Sequence, residues 1–194
     1  MNIEEEIFQV YNEIRNVQAK IGNKESTEAL EYYSRQIFNL KIKLQKLEKD
    51  LYLHRNPDLE SNEIDLYLIN FHDKFDEKPD KFNYIITLHN TKTKIGKMEI
   101  RFNLLENEKY LGNIGANITE KYRGKRYFKK AFILLKDIML EHNLRKPIFT
   151  VRENNLSSIK SLDTIGAKRV NYIDDSEPYY VYEYDFEQDE NLKK

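Results

Sequence analysis

The chain has no cysteine among its 194 residues. That absence removes disulfides, thiolate metal sites and cysteine nucleophiles together. No apolar run approaches the roughly 20 residues that span a bilayer, so no membrane helix is expected. Charge of one sign does not dominate either: 32 Lys and Arg stand against 33 Asp and Glu, a formal net charge of −1. Nucleic-acid binders usually carry a basic balance over the whole domain, so nucleic acid is not an expected partner. The start, MNIEEEIF, is acidic where an export signal carries positive charge ahead of an apolar stretch, and a cytoplasmic location is expected. His54, His72, His89 and His142 are scattered without ligand-like spacing, and no metal is expected.

What is present is a globular balance, 40% apolar and 34% charged, at a length that suits one compact core with an appendage. The appendage comes first. Ile3, Ile7, Val10, Ile14, Val17 and Ile21 alternate four and three apart, the spacing of one helix stripe. After GNKEST, where Gly22 and Asn23 can stop a helix and Ser26 or Thr27 can cap the next, the stripe resumes as Leu30, Tyr33, Ile37, Leu40, Leu44, Leu47 and Leu51. These heptad seams predict an antiparallel, coiled-coil-like hairpin over 1–56. Seams of three heptads need a partner, found on the hairpin itself, on the rest of the chain, or on a second copy in a homodimer.

Pro57 disfavours helical geometry at Asn56 and sets the boundary. Short β-branched or aromatic segments follow at 63–71, 82–88, 94–102 and 111–118, then a helix from the end of KYRGKRYFKK, a strand at 147–151, a short helix, and strands at 169–173 and 179–186. Asn155 can cap the short helix LSSIKSLDTI and Gly166 can end it. The order predicts an α/β (α+β three-layer) domain over 57–187, a mixed, mostly antiparallel sheet flanked by helices, with a polar tail over 188–194.

The segment KYRGKRYFKK, 121–130, holds six positive charges and no acid. A strand running through a glycine-bearing turn into a helix offers unpaired N–H groups and the positive end of the peptide dipoles, which suits an anion. The spacing is neither that of the nucleoside-triphosphatase phosphate loop nor that of the dinucleotide fingerprint.

The run from GNIGANITEKYRGKRYF through VRENNLSSIKSLDTIGAKRV resembles the core of the GNAT N-acetyltransferase superfamily. There a strand leads into an Arg-x-x-Gly-x-Gly/Ala-like pyrophosphate loop and helix, then a strand, an asparagine and a short helix. The resemblance spans about residues 111–170, loosely 63–186, and leaves the hairpin outside. It implies acetyl-CoA as co-substrate and an amine acceptor on a small molecule or a protein. It also implies a loop at Arg123, Gly124, Lys125, Arg126, Tyr127 and Phe128 for the pyrophosphate. Ala116 and Ile118 would lie on the strand that pairs with the pantetheine arm, the Ile118 backbone N–H would be the oxyanion donor, and Asn155 would contact the cofactor. Arg126 stands where the motif usually has its first glycine and Phe128 where a small residue is usual. Either the backbone at Arg126 keeps a conformation open to a non-glycine residue, or the loop is distorted and binding weakened.

The usual tyrosine of the last helix is Leu162 here. Tyr127, Tyr180 and Tyr182 are open to core packing or to catalysis, and no acid is assigned. Glu99, beside Arg101 on a two-faced strand, is the candidate base, its other reading a surface ion pair. The acidic C-terminal strand and tail are candidates to attract a cationic acceptor. A catalytically degenerate interaction module, with the hairpin mediating dimerisation or partner binding, is the alternative function.

Overall fold

The computed structural model describes residues 3–21, 26–53, 55–69, 81–102, 104 and 111–188. The chain divides into two compact units, Met1–Asn56 and Pro57–Lys194. His54, His72 and the tail beyond Gln188 lie outside the described residues.

In the first unit the two stripes form helices α1 (Ile3–Ile21) and α2 (Thr27–Leu53). The Ser26 hydroxyl accepts from the Ala29 N–H, the capping role its position predicts. On α1 the residues Ile7, Val10, Ile14 and Val17 are buried; each fully buried aliphatic side chain contributes about 1.5–3 kcal/mol. The helices are joined by the Tyr11 hydroxyl, which donates to Glu48, and by an ion pair of Lys43 with Glu6. On α2 the seam residues Leu44 and Leu51 are buried and Tyr33, Ile37, Leu40 and Leu47 half-buried. Leu30 is exposed, as are Phe38 and Ile42 outside the seam.

The second unit opens with a five-stranded antiparallel meander: β1 (Leu59–Glu60), β2 (Ile64–Ile69), β3 (Lys81–Leu88), β4 (Lys94–Arg101) and β5 (Ile114–Ile118), in that spatial order. The two-residue β1 has no counterpart in the sequence expectation. A 3₁₀ turn (Glu120–Tyr122) leads to α3 (Tyr127–Leu134) and α4 (Lys136–Glu141). The sequence predicts one helix here; the structure breaks it at Leu135, whose φ of −88° and ψ of 0° depart from helical values. β6 (Ile148–Arg152), α5 (Leu156–Ile165), β7 (Lys168–Ile173) and β8 (Tyr179–Glu183) follow, the strands forming a second antiparallel sheet in the order β6, β8, β7. Both ends of α5 are as predicted: Asn155 Oδ1 accepts from the Ser158 N–H, and Gly166 takes the left-handed conformation.

One core serves both sheets. Ile86, Met98 and Ile100 from the first, Phe149, Val151 and Tyr182 from the second, and Ala131, Phe132, Leu135, Met139, Leu162 and Ile165 from the helices form a single buried cluster. Phe132 lies at its centre, packed on Phe149, Tyr184 and Phe186.

Candidate active site

The site begins with the free edge of β5. Its register with β4 places Asn117 opposite Lys97 and Gly115 opposite Glu99, and the Thr119 N–H donates to Ile95 O at 2.8 Å. Backbone groups of an antiparallel strand alternate in direction, so those of Thr119, Asn117 and Gly115 face β4 and those of Ile118 and Ala116 face away. β6 is the next strand, yet among the described residues the backbone hydrogen bond between the two sheets is that of the Asn113 N–H to Ile148 O at 2.7 Å. Beyond that junction β5 pairs with β4 alone and β6 with β8 alone, leaving a cleft between their facing edges.

Gly96 makes the close approach of β4 to β5 possible. A Cβ on it would lie 2.5 Å from Asn117 O and 2.8 Å from Ile118 Cδ1.

At the end of β5 the chain turns into α3. None of the backbone N–H groups of Gly124 through Lys129 has a partner among the described residues; Lys130 is the first to bond back, to Arg126 O. Gly124 has φ 79°, the left-handed region that favours glycine, and a Cβ there would meet nothing within 4 Å. Arg126, the N-cap of α3, adopts φ 60° and ψ 22°. A left-handed conformation that favours glycine is thus held by an arginine, at a cost of about 1–2 kcal/mol.

The six cations divide. Arg123 donates through Nε to Ile118 O at 3.0 Å, tying the loop to the strand edge. Lys130 bonds Glu63 at 2.5 Å and Lys129 reaches Thr164 O at 3.5 Å, while Lys121 lies over the Tyr122 ring. Lys125 and Arg126 are exposed and have no partner among the described residues. The Tyr127 side chain is buried and Phe128 packs on Phe132 and Phe149, so both face the core and leave the helix mouth clear. Their backbone N–H groups remain at the site, and neither ring is placed to stack on a nucleobase.

The remaining candidates are held elsewhere. Glu99 sits between Lys81, at 2.5 Å, and Arg101, an ion-paired arrangement that directs its lone pairs at two cations. Asn155 gives its carbonyl oxygen to Ser158 N–H and Ser157 Oγ, leaving only its Nδ2 for a ligand. Leu162 is core, the Tyr180 hydroxyl donates to Glu153 at 3.3 Å, and the Tyr182 hydroxyl accepts from Arg169 at 3.2 Å. Tyr172 also donates to Glu153, and its hydroxyl is pushed up first by desolvation and then by that carboxylate. Just beyond β8, Asp185 is paired with Lys146 at 3.0 Å and Glu187 with Arg145 at 3.1 Å, while Asp189 and Glu190 of the tail lie outside the described residues. Glu60, Asp65 and His89 bring possible ligand atoms within 4.8 Å of one another. Asp65, however, accepts from the His89 ring at 2.7 Å and from the Asn90 N–H, and so holds the β3–β4 turn.

Three features here were not singled out from sequence: Gly96, the Arg101 guanidinium bonded to the carbonyls of Leu111 and Gly112, and Asn113. Only the Gly-Asn pair opening GNIGANI was a visible signal.

No family model matches the chain, and no curated protein does. Solved structures do. A protein assigned as a ribosomal-protein-serine acetyltransferase from Vibrio cholerae is 14% identical, covering 68% of this chain and 99% of its own, with a TM-score of 0.51. Over the matched part the chain has the GNAT fold. The ribosomal-protein-S5-alanine acetyltransferase of Vibrio fischeri is 18% identical over 56% of this chain, with a TM-score of 0.47. The match spans 63% of that enzyme, less than two thirds of its length. A GNAT-family acetyltransferase from Bacillus anthracis is 23% identical over 55% of this chain and 67% of its own, with a TM-score of 0.44. At these identities the likeness is one of fold. No helix of the described residues is long and apolar enough to cross a membrane.

Proposed function

We propose that the protein is an acetyl-CoA-dependent N-acetyltransferase that moves an acetyl group to an amine of a small molecule or a protein. One observation supports this above the others: consecutive N–H groups without partners, from Gly124 to Lys129, follow a strand edge whose own polar groups face a cleft. A diphosphate at that helix mouth accepts from these donors and is favoured by the aligned peptide dipoles. Lys125 and Arg126 supply the uncommitted positive charge. A pantetheine arm, itself a chain of amides, pairs with the β5 edge at Ala116 as an added strand does and ends at Ile118, whose carbonyl already accepts from Arg123.

In the reaction the neutral amine attacks the thioester carbonyl carbon. The C–N bond forms, the C–S bond breaks, and the proton lost by the new ammonium passes to water. The Ile118 N–H donates to the oxyanion that develops between these steps. A thiol of pKa ~8.5 leaves as thiolate without full protonation, so the absence of a tyrosine at Leu162 is compatible with turnover.

Calorimetry of the full chain with acetyl-CoA and CoA, followed by thiol release over a panel of primary amines, tests this reading. Saturable binding of both ligands and amine-dependent thiol release are expected. No heat at millimolar ligand would reject it.

The second reading, a GNAT-fold interaction module that acts through its hairpin, is favoured by the exposure of Phe38 (64%) and Ile42 (52%) one turn apart on α2. Sedimentation of the wild type against Phe38→Glu/Ile42→Glu separates the two. A mass that falls in the variant, together with no CoA binding in the wild type, would favour the module.

A further inference from the structure

We infer that Asn113 is a positioning residue: its carboxamide acts as an additional peptide unit that joins β4, β5 and β6 at one point and so fixes where the cleft opens. The inference rests on the acetyl-CoA reading of that cleft.

In a closely spaced antiparallel pair two residues exchange N–H···O bonds in both directions. Glu99 with Gly115 and Lys97 with Asn117 occupy such positions by register, and Arg101 with Asn113 is the next pair along. There the Arg101 N–H donates to Asn113 O at 2.8 Å, but the return bond lacks its backbone donor, because the Asn113 N–H has turned to Ile148 O. The side chain replaces it. Asn113 Nδ2 donates to Arg101 O at 3.0 Å, and Asn113 Oδ1 accepts from the Ile148 N–H at 2.9 Å. One residue thus bonds two strands in both directions, using four polar groups where the backbone alone supplies two.

The surroundings fit only this arrangement. Gly112, at φ 66°, turns the backbone, and a Cβ on it would lie 3.0 Å from both Ile148 O and Thr150 N. Asn113 is 7% exposed, so water cannot replace a lost partner without rearrangement. Aspartate would set a carboxylate oxygen against Arg101 O, alanine leaves both strands unsatisfied, and glutamine is one methylene too long. Because the anion-binding mouth begins beyond the far end of β5, loosening this joint changes the cleft without touching the donors of α3.

The full-length protein and its Asn113→Ala variant would be titrated with CoA and with 3′-phosphoadenosine 5′-diphosphate, which carries the phosphates of CoA without the pantetheine arm. CoA affinity is expected to fall about tenfold, the scale of a lost buried hydrogen bond, with the arm-less ligand within about twofold. Hydrogen exchange at the Ile148 amide should accelerate, while the amides of Phe149 and Val151, in the pairing with β8, keep their protection. Equal weakening of both ligands, no weakening of either, or a uniform loss of protection along β6 would overturn the inference. Should the alanine variant fail to fold, Asn113→Asp, which keeps an acceptor for Ile148 and replaces the donor to Arg101 O by a carboxylate oxygen, carries the same binding comparison. A wild type that binds neither ligand at millimolar concentration would instead remove the acetyl-CoA reading, and this inference with it.

Discussion

The hairpin and the cleft are built from opposite materials. In the hairpin the decisive groups are side chains at a fixed period, and their burial shuts the seam. In the cleft they are backbone groups left open at a strand edge and a helix mouth, set by glycines, one asparagine and one left-handed arginine. A side-chain change should therefore disrupt the fold of the first region through solvation and that of the second only where it moves the backbone, whereas loss of a free cation there lowers ligand affinity alone.

The largest effect is expected from Val10→Asp, which places an unpaired carboxylate at a fully buried seam position. A loss of about 3–5 kcal/mol, read as reduced helical circular dichroism and an earlier denaturant midpoint, is the expected scale for an uncompensated buried charge. Gly96→Val comes next. Its Cβ would press on Asn117 O, and displacing β5 should cost about 1–3 kcal/mol in thermal unfolding and weaken CoA binding as well. An unchanged CoA affinity there would break the comparison, because β5 would then not be the ligand's edge.

Charge within the basic segment sharpens the contrast further. Arg126→Ala is expected to weaken CoA by about 1–3 kcal/mol, the range for a lost charged contact. Lys130→Ala should change it by less than about twofold, since that ammonium is already held by Glu63. Equal losses would mean that net charge, not the free cations, governs binding.

The smallest effect concerns pH. The hydrogen bond and charge of Lys146 hold Asp185 below the ordinary carboxylate range. A depressed folded value means the bond stabilises above the unfolded pKa and is lost as pH falls through the folded one. Thermal stability should thus decline on the acid side of about pH 4, and Lys146→Met should flatten that slope.

This contrast also accounts for what the sequence disclosed. The seam of α1 could be read because burial follows heptad spacing; on α2 Leu30 keeps the spacing yet is exposed. The caps of α5 were legible because Asn155 and Gly166 act through local geometry. KYRGKRYFKK marked the loop, but not its division into free and engaged cations, because Glu63, just before β2, and Ile118, on β5, reach it from outside the segment. Asn113 escaped notice because its four bonds join residues 101 and 148, far apart in the chain, and no local pattern encodes such a joint. Glu99 could be read on its strand as a base or as an ion pair with Arg101, and only the fold brings Lys81 to its other side.

The most direct test of the central claim is an amide-resolved NMR titration of the full-length protein with CoA. If the α3 mouth receives the diphosphate, the N–H signals of Gly124 through Lys129 shift together and saturably, ahead of those in β7. Signals that stay in place at millimolar CoA would contradict the account.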